Sequence, residues 1–475
     1  MDRRSAAAFG GFKFLLCKFH WYMPPSTLDE VLQSAENTAE TFRNNDLGWQ
    51  PYVFRNEYTN WIEEQRAVRE SVAVVDQSYH MEILEIEGPD AVDLLEHLAV
   101  NSFEKVRTEE PPRAINYLTC NPDGYVIGDV IVFHLGENEF SSVGSEWINN
   151  WIRYNAETGS YDVETNVPYH PFDDHDPPDF RFQVQGPHAL DVMEDVVDGT
   201  LPDISFFGMD TVEIDGTETY ALGHGMAAMP GLEIFGSHDR HDDVLNDILA
   251  AGEQYGIRRM GTKAYKTGKI GSGWFVAAVP AIYEHEELQG YREWLGADSM
   301  EAQFSIGGSY ASDDITDYYM TPIEQGKAHL IDFDHDFVGR DALAEMTDED
   351  QRERVTLVWD ADDLVDIYAS LFQDGPTDKF VNLPDVATQW SVSHYDEIRK
   401  GGETVGLSKY PGYLYYEREM LSLAVVDQAY SEPGTEVTFV WGDDTEKRGV
   451  ELHEQVEVNA TVAPAPYVRG GRTEM

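Results

Sequence analysis

Alternating hydrophobic and polar residues, each time followed by a helical pattern, predict α/β units in the first part of the chain. Residues 83–87 alternate as in a strand, and 88–96 start with Gly-Pro and continue with apolar residues at helical spacing. Residues 180–185 and 186–194 repeat this arrangement. Glycine permits the tight turn, and proline fits the first helical position, which needs no amide donor. We therefore predict two related α/β lobes.

Toward the C-terminus the pattern changes to strands separated by glycine and proline turns. Runs rich in valine, leucine and aromatic residues occupy 355–359, 421–426 and 436–441. Such runs are typical of a sheet or barrel rather than of α/β units. We therefore divide the chain into 23–345, which holds the two lobes and the chemistry, and 350–475, a β-rich C-terminal domain.

Residues 1–22 differ from the rest of the chain because they contain four basic residues and one acidic residue. A signal peptide or lipobox would need an uninterrupted apolar stretch before Cys17, but Lys13 and Lys18 interrupt it. We therefore interpret this segment as an upstream extension, non-native or disordered, with Met23 as the natural start.

The composition describes a packed but very acidic protein. The 475 residues include 88 Asp and Glu against 33 Lys and Arg, a formal net charge of −55, and 12% of them are aromatic. The aromatic content argues against disorder. A nucleic-acid partner is not expected, because nucleic-acid-binding proteins place basic patches on phosphates. A membrane span is not expected either, because no apolar run reaches the roughly 18 residues that one requires.

The acidic excess is spread along the whole chain and is accompanied by few lysines, 11 against 22 arginines. An evenly acidic surface repels itself at low salt and is stable where ions screen the charges. We therefore expect a cytoplasmic protein of a halophilic archaeon that keeps high salt inside the cell.

Three carboxylates lie inside strand-like apolar stretches: Asp76, Asp129 and Glu233. A buried carboxylate is costly unless it is paired, so each of them is either a structural hydrogen-bonding centre or a ligand contact. The sequence leaves both interpretations open.

Lys263, Lys266 and Lys269 surround Tyr265 within seven residues of a chain that otherwise contains few lysines. Such a run is either a solvated face or an anion site, for example for a polyanionic cofactor tail. In the second case the phenol of Tyr265 would be a proton donor beside the bound anion.

Other familiar chemistry is missing from the sequence. It contains no phosphate-binding glycine loop, dinucleotide fingerprint or paired-cysteine metal motif, so we expect no metal cofactor. The run 173–176 (DDHD) could bind a metal weakly, but in this composition it is better interpreted as an acidic loop. The two cysteines, Cys17 and Cys120, cannot form a disulfide framework, and neither lies in a nucleophile motif.

The sequence resembles the glycine cleavage T-protein-like, tetrahydrofolate-dependent C1 transferases over about residues 26–468. The motifs that carry this resemblance are QGP at 185–187, PGLEI at 230–234, TPIEQG at 321–326 and FDHDFVGRDAL at 333–343.

Within that family the chain is most similar to the vanillate and 3-O-methylgallate O-demethylase branch. The matching stretches are DQ at 76–77, HM at 80–81, HGMA at 224–227, AY at 264–265, GW at 273–274, PAIY at 280–283, YREWL at 291–295, IGGS at 306–309 and IYASLF at 367–372.

The resemblance implies an α+β fold, a three-domain cloverleaf in which two related α/β lobes form a folate channel beside a C-terminal β-barrel-like domain. It also implies transfer of a methyl group from an aryl methyl ether to tetrahydrofolate. An aryl ether methyl is a poor electrophile because a phenoxide must leave, and a positioned acid lowers that barrier.

The resemblance further assigns site residues. Tyr265 matches the proton donor, and Gln77 and His80 match catalytic positions that line the methyl-transfer site. The residues matched to cofactor-binding positions are Glu233, which holds the N–H edge of the pterin ring, Trp274 as an aromatic wall, Gln185 and Tyr283.

The chain departs from the O-demethylase branch at three positions. Ser145 stands where the branch has an arginine suited to the carboxylate of the substrate, Gln50 where it has a tyrosine, and Gly271 where it has a glutamate. These changes leave the methyl donor open and the folate side intact. The pair Gly128-Asp129 replaces two adjacent aspartates of the T proteins, which counts against aminomethyl transfer from a lipoyl protein.

The sequence leaves three functions open. The first is demethylation of a methoxylated aromatic or a similar small-molecule methyl donor, with tetrahydrofolate as acceptor. The second is a T-protein-like aminomethyltransferase or another C1 transferase with an N- or S-methyl donor. The third is a folate-binding protein without catalysis. The sequence does not define the oligomeric state.

Overall fold

The structure is a computed structural model that describes residues 26–45, 55–225, 227–275, 278–346, 351–384, 393–443 and 453–468. The expected extension 1–22 and the departure at Gln50 lie outside the described residues.

The α-helices are labelled in chain order α1 to α13. They are Leu28–Ser34, Thr38–Asn44, Trp61–Glu70, Ala91–Leu98, Glu104–Thr108, Glu146–Thr158, Ala189–Val196, His241–Gly252, Thr262–Tyr265, Gly268–Ser272, Gln289–Trp294, Arg340–Glu345 and Ala361–Ser370.

The β-strands are labelled in the same way β1 to β19. They are Ala73–Asp76, Glu82–Glu87, Arg113–Cys120, Val126–Gly136, Glu139–Gly144, Glu164–Tyr169, Asp179–Gln185, Met209–Ile214, Thr217–Gly223, Gly231–Ser237, Arg258–Arg259, Ile306–Gly307, Arg352–Trp359, Ser393–His394, Asp396–Lys400, Glu403–Leu414, Glu419–Asp427, Glu436–Trp441 and Val456–Pro464.

The strands form two open sheets, a closed barrel and a small pair. The first sheet has the order β3-β4-β5-β2-β6, and the second sheet has the order β11-β1-β7-β10-β9-β8. The barrel consists of β13-β17-β16-β15-β18-β19, and β12 pairs with β14. Helices cover the two sheets, so the predicted α+β class with two α/β lobes and a C-terminal barrel is confirmed.

Both predicted strand–Gly-Pro–helix units are present, as β2 followed by α4 and as β7 followed by α7. Gly88 and Gly186 have φ angles of +148° and +134°, which favour glycine. A Cβ atom at Gly186 would lie 2.7 Å from the Ser71 carbonyl oxygen, and one at Gly88 would lie 2.2 Å from that of Asp162. The equivalent turns therefore need glycine for the same reason.

The chain crosses from the second sheet to the first at residues 77–81. Strand β1 pairs with β7 and β11 in the second sheet, whereas β2, which follows it, pairs with β5 and β6 in the first. Side chains of this crossing segment therefore lie at the seam between the lobes. No helix in the described part of the chain is long and apolar enough to span a membrane.

Candidate active site

The crossing segment brings Gln77 and His80 next to Tyr265, the last residue of α9. Gln77 Nε2 donates a hydrogen bond of 2.8 Å to the Tyr265 hydroxyl. The His80 and Tyr265 rings meet edge to face with centroids 5.8 Å apart. His80 Nδ1 lies 3.0 Å from the Gln77 carbonyl oxygen, which fixes the imidazole relative to the backbone of the same turn. The three residues matched to catalytic positions therefore form one cluster.

Burial sets the protonation of this cluster. Burial raises the pKa of Tyr265 well above its usual value, and the Glu233 charge acts in the same direction. Burial also lowers the pKa of His80 to about 4. At neutral pH the phenol therefore keeps its proton and the imidazole is uncharged.

Glu233 lies in the middle of β10 and is 3% exposed. Arg181 Nη1 is 3.1 Å from one carboxylate oxygen, and His224 Nδ1 is 3.5 Å from the other. Burial alone would raise the pKa of Glu233, but the hydrogen bond from His224 and the charge of Arg181 outweigh it, so the pKa lies below its usual value. Glu233 is therefore a carboxylate with two oxygens available as acceptors.

Arg181 holds its charge in an apolar setting. Its guanidinium lies over the rings of Phe133 and Phe235, 4.7 and 4.2 Å from the centroids. Its Nε and Nη2 atoms have no hydrogen-bond partner among the described residues. Buried N–H groups without an acceptor are costly, and a bound ligand with oxygen acceptors would reduce that cost.

Gln183 connects the two ends of the site. Its Oε1 accepts from Gln77 Nε2 at 3.4 Å, and its Nε2 donates to the His224 carbonyl oxygen at 3.2 Å. A continuous polar chain thus runs from Tyr265 through Gln77 and Gln183 to His224, which contacts Glu233. The Tyr265 end and the Glu233 end belong to one connected region.

The sequence interpretation did not assign roles to Arg181 and Gln183. Together with Gln185 they occupy alternate positions of β7, so all three project from the same face of the strand. Glu233 is the cross-strand partner of Gln183. The signal in the sequence was the run FRFQVQ, in which every second residue of a buried strand is polar.

Two further predicted residues lie at the edge of this cluster. The Trp274 ring lies edge-on to His224 with centroids 6.5 Å apart. Gln185 is buried, and its Nε2 lies 3.4 Å from the Met229 carbonyl oxygen. Trp274 thus lies beside a residue that contacts Glu233, and Gln185 lies on the same face of β7 as Gln183.

Tyr283 is not brought to the cluster. Its hydroxyl donates to the Glu301 carbonyl oxygen at 2.9 Å, and its ring lies 4.5 Å from that of Phe42, in the core against the first sheet. Tyr283 therefore makes packing contacts and does not lie beside Gln77 or Glu233.

The other two strand carboxylates have partners within the protein. Asp76 Oδ2 is 3.0 Å from His241 Nε2, and its other oxygen accepts from the Ser78 hydroxyl at 2.7 Å. Asp129 and Lys327 form a buried ion pair of 2.9 Å. Of the two alternatives that the sequence left open, these contacts favour the structural hydrogen-bonding role for both residues.

The lysines around Tyr265 point to different partners. Lys263 pairs with Glu57 at 3.0 Å, and Lys269 lies over the Tyr410 ring, 4.2 Å from its centroid. Lys266 is close enough to His80 to influence its pKa. The anion-site alternative stays a prediction.

The described residues contain neither a cluster suited to a metal ion nor an activated cysteine. No group of three or more His, Cys, Asp or Glu side chains within the described ranges is arranged to hold a metal ion. Cys120 is buried, and burial raises the pKa of its thiol far above the usual value. A thiol in that state is a weak nucleophile.

Comparison with known proteins places this site in a family context. Residues 29–279 match the family model described as the GCVT N-terminal domain. The chain is 38% identical over 459 residues to syringate O-demethylase of Sphingobium sp., an alignment that covers 94% of this chain and 97% of that protein.

The chain is also similar to other proteins at lower sequence identity. The chain is 26% identical to the sesamin methylene transferase of Sinomonas sp., in an alignment that covers 81% of this chain and 83% of that protein. It is also 26% identical to an aminomethyltransferase of Caldanaerobacter subterraneus, in an alignment that covers 65% of this chain and 70% of that protein. The glycine cleavage aminomethyltransferase T of Bartonella henselae has the same fold, with a TM-score of 0.59 at 15% identity over 91% of this chain and 96% of that one.

Proposed function

Because this chain belongs to the GCVT aminomethyltransferase family, we propose that it transfers a methyl group from a methoxylated aromatic compound to tetrahydrofolate, giving a phenol and 5-methyltetrahydrofolate. The observation that carries the proposal is the connected polar chain from the half-buried Tyr265 hydroxyl to the buried Glu233 carboxylate. The full-length similarity to syringate O-demethylase supports the donor class.

The residues around Glu233 fit a pterin. A pterin ring presents adjacent N–H donors on one edge, and the Glu233 carboxylate offers two acceptor oxygens with a pKa held below its usual value. The Arg181 N–H groups that have no acceptor among the described residues would donate to a ring oxygen. Trp274, near His224, supplies an aromatic surface for the folate, as the resemblance implies.

Bound tetrahydrofolate would supply the nucleophilic nitrogen that accepts the methyl group. The protein's own contribution lies mainly at Tyr265. Its hydroxyl keeps its proton until negative charge develops on the departing aryl oxygen and then donates to that oxygen. The proton that the acceptor nitrogen would lose on methylation would restore the hydroxyl. Gln77 holds the hydroxyl in place through its 2.8 Å hydrogen bond, and neutral His80 packs against the phenol ring without adding charge.

A donor panel tests this proposal. The protein is incubated at high salt with tetrahydrofolate and methoxybenzoates, methoxyphenols, methylamines or sulfonium compounds, and folate products are separated and identified. The proposal predicts 5-methyltetrahydrofolate and a matching phenol with methoxylated aromatics. Product from amine or sulfonium donors alone would favour the second function, and folate binding without turnover on any donor would favour the third.

A further inference from the structure

Gln183 is a fully buried amide in the middle of β7. Its neighbours across the sheet are Val75 of β1 and Glu233 of β10. Side chains that lie opposite each other in an antiparallel pair share one face of a sheet, so this amide lies between the crossing segment and the Glu233 carboxylate. A buried amide needs partners for both its oxygen and its nitrogen, and this need makes the orientation of the Gln183 amide informative.

The backbone sets the orientation of the Gln183 amide. Its Nε2 lies 3.2 Å from the His224 carbonyl oxygen and 3.5 Å from the Nδ1 atom of the same residue. A carbonyl oxygen can only accept a hydrogen bond, so the end of the amide that faces it is the NH2 group. The other end, the Oε1 atom, then faces Gln77. Because the reference is a backbone group, this orientation does not depend on the protonation of any side chain.

The orientation of the Gln77 amide follows from that of Gln183. The Gln183 Oε1 atom is an acceptor, and Gln77 Nε2 lies 3.4 Å from it. The same nitrogen lies 2.8 Å from the Tyr265 hydroxyl oxygen. An NH2 group has two N–H bonds, one for each of these acceptors. The Tyr265 oxygen therefore accepts from Gln77, and its own O–H bond is directed away from this amide.

The direction of this hydrogen bond matters for a proton donor. With the Gln77 amide reversed, the phenol would donate to the amide oxygen, and that hydrogen bond would have to break before the proton could reach another acceptor. In the orientation found here, the Gln77 N–H stays bonded to the phenolate oxygen after the proton has left. Burial and the Glu233 charge raise the pKa of Tyr265, whereas the hydrogen bond from Gln77 lowers it. A fixed donor aimed at developing charge lowers the barrier of the step.

We propose that Gln183 is a positioning residue for the methyl transfer: it fixes the Gln77 amide and so directs the Tyr265 proton toward the departing aryl oxygen. The inference rests on the proposed function and adds a residue that acts through two others. The methyl–oxygen bond breaks as the methyl group bonds to the folate nitrogen. The electron pair of the broken bond stays on the aryl oxygen, which takes the Tyr265 proton. Gln183 itself neither gains nor loses a proton.

The test measures how kcat depends on the phenol that leaves. The donors are ring-substituted forms of a methoxylated aromatic that is turned over, with nitro, chloro or methyl groups that change the pKa of the released phenol. Protonation of the leaving oxygen makes kcat insensitive to this pKa, whereas without it kcat falls as the pKa rises. We expect a shallow dependence for the wild type and a steep one for Gln183→Met.

For the least acidic phenol, Gln183→Met should lower kcat by about tenfold, the effect of one lost hydrogen bond. The slope compares donors on one protein preparation, so a loss of folded protein does not change it. Folate affinity should stay close to that of the wild type, because Glu233, Arg181 and His224 remain in place.

Three further variants separate positioning from packing. Gln183→Glu keeps an acceptor opposite Gln77 Nε2 and should retain the shallow dependence. Gln183→Met introduced into Tyr265→Phe should cause no further loss of kcat, because the hydroxyl that it would misdirect is absent. Thr219→Val is the matched control and should keep the wild-type slope. It removes the hydroxyl of a buried side chain in the same sheet, which donates to the Thr217 carbonyl oxygen at 3.2 Å.

Other outcomes overturn the inference. A shallow dependence in Gln183→Met, or a further loss of kcat when it is combined with Tyr265→Phe, would mean that Gln183 does not act through the hydroxyl. Weaker folate binding with an unchanged slope would assign Gln183 to folate binding instead.

If no donor is turned over, the proposed function fails, and NMR of protein with tyrosine isotope-labelled at Cζ decides the inference separately. The Tyr265 signal is the one that Tyr265→Phe lacks. It should shift in Gln183→Met, because the hydrogen bond to the hydroxyl changes, and should not shift in Thr219→Val. An unshifted signal in Gln183→Met would contradict the inference.

Discussion

At the scale of single residues, the decisive feature is how the buried charges of the site are paired. Glu233 and Arg181 are both almost fully buried and form an ion pair, with His224 at the second carboxylate oxygen. Such a pair contributes little to stability in itself, but removal of one partner leaves an isolated buried charge. The same group that would hold the pterin is therefore also needed for the fold around it.

Glu233→Gln should consequently have two effects that can be separated. We expect a loss of about 3–5 kcal/mol in unfolding free energy, because Arg181 loses its counter-charge, together with weaker folate binding. The double variant Glu233→Gln/Arg181→Met should recover much of the stability and none of the folate affinity. Denaturant unfolding and folate titration measure the two quantities. Recovery of folate affinity in the double variant would show that the pterin is not held by this carboxylate.

Tyr265→Phe tests the assigned proton donor. The change removes the hydroxyl that accepts from Gln77 and keeps the ring that packs against His80. We expect kcat to fall by about 10²–10⁴-fold, the usual contribution of a positioned acid, with the folate dissociation constant nearly unchanged. Tyr255→Phe is the control, because its hydroxyl binds Asp195 at the surface. An unchanged kcat in Tyr265→Phe would remove the phenol from the mechanism.

At the scale of elements, the crossing between β1 and β2 positions Gln77 and His80, the residues matched to catalytic positions. Asp76, at the end of β1, accepts a hydrogen bond from the Ser78 hydroxyl and pairs with His241. The Ser78 hydroxyl oxygen in turn accepts from the Arg181 backbone N–H at 2.9 Å. These contacts fix the turn that carries Gln77. The Asp76–His241 pair thus acts on Tyr265 indirectly, through that turn.

The Asp76–His241 pair predicts a pH dependence of stability. His241 is faced by Asp76, Asp242, His238 and Tyr79. Burial lowers its pKa, but the two carboxylates outweigh burial and the pKa is raised. The raised pKa means that its stabilisation is complete below the unfolded-state value of about 6.5 and is lost as the pH rises through the folded-state value.

The corresponding measurement compares wild type with His241→Gln in denaturant unfolding across pH. We expect the difference in unfolding free energy to be largest near pH 6 and to shrink as the pH rises from there. Asp76 has the opposite sign: its pKa is lowered because His241 and Ser78 outweigh burial, so its contribution is lost only in acid. A difference that does not vary between neutral and alkaline pH would contradict the assignment to His241 protonation.

The elements also show what the sequence could and could not predict. The alternating patterns and the two Gly-Pro turns predicted the strands and the duplicated units, because periodicity and backbone sterics are local. The partner of β1 was not predictable from them. Nothing in its apolar run distinguishes pairing with β7 from pairing with β2, since that choice depends on contacts distant in sequence. For the same reason the sequence did not assign Arg181 and Gln183 to the candidate site. They belong to it because β7 pairs with β1 and β10.

At the scale of the whole molecule, the net charge of −55 is the dominant property. Charges on a surface repel one another over about 10 Å at 0.1 M salt and over about 3 Å at 1 M. Folding brings these charges together, so self-repulsion lowers the stability of the folded state when the salt concentration is low. The sequence predicted this property directly, because it depends on composition and not on which strands pair.

We therefore predict that the melting temperature rises with KCl between about 0.1 and 2 M, the range over which screening changes most. Thermal unfolding followed by circular dichroism provides the measurement. Sucrose, which is excluded from protein surfaces but does not screen charge, serves as the control and should raise the melting temperature less. A melting temperature that stays flat or falls with KCl would remove the halophilic interpretation, and the proposed chemistry would not be affected.

The central claim is that a methyl group passes directly from a donor beside Tyr265 to a folate held at Glu233. Its most direct test is a single-turnover reaction with a donor whose methoxy group is deuterated, followed by mass spectrometry of both products. The account predicts 5-methyltetrahydrofolate that carries all three deuterium atoms, formed together with an equal amount of the unlabelled phenol. Loss of the methoxy group without label in the folate product would contradict it.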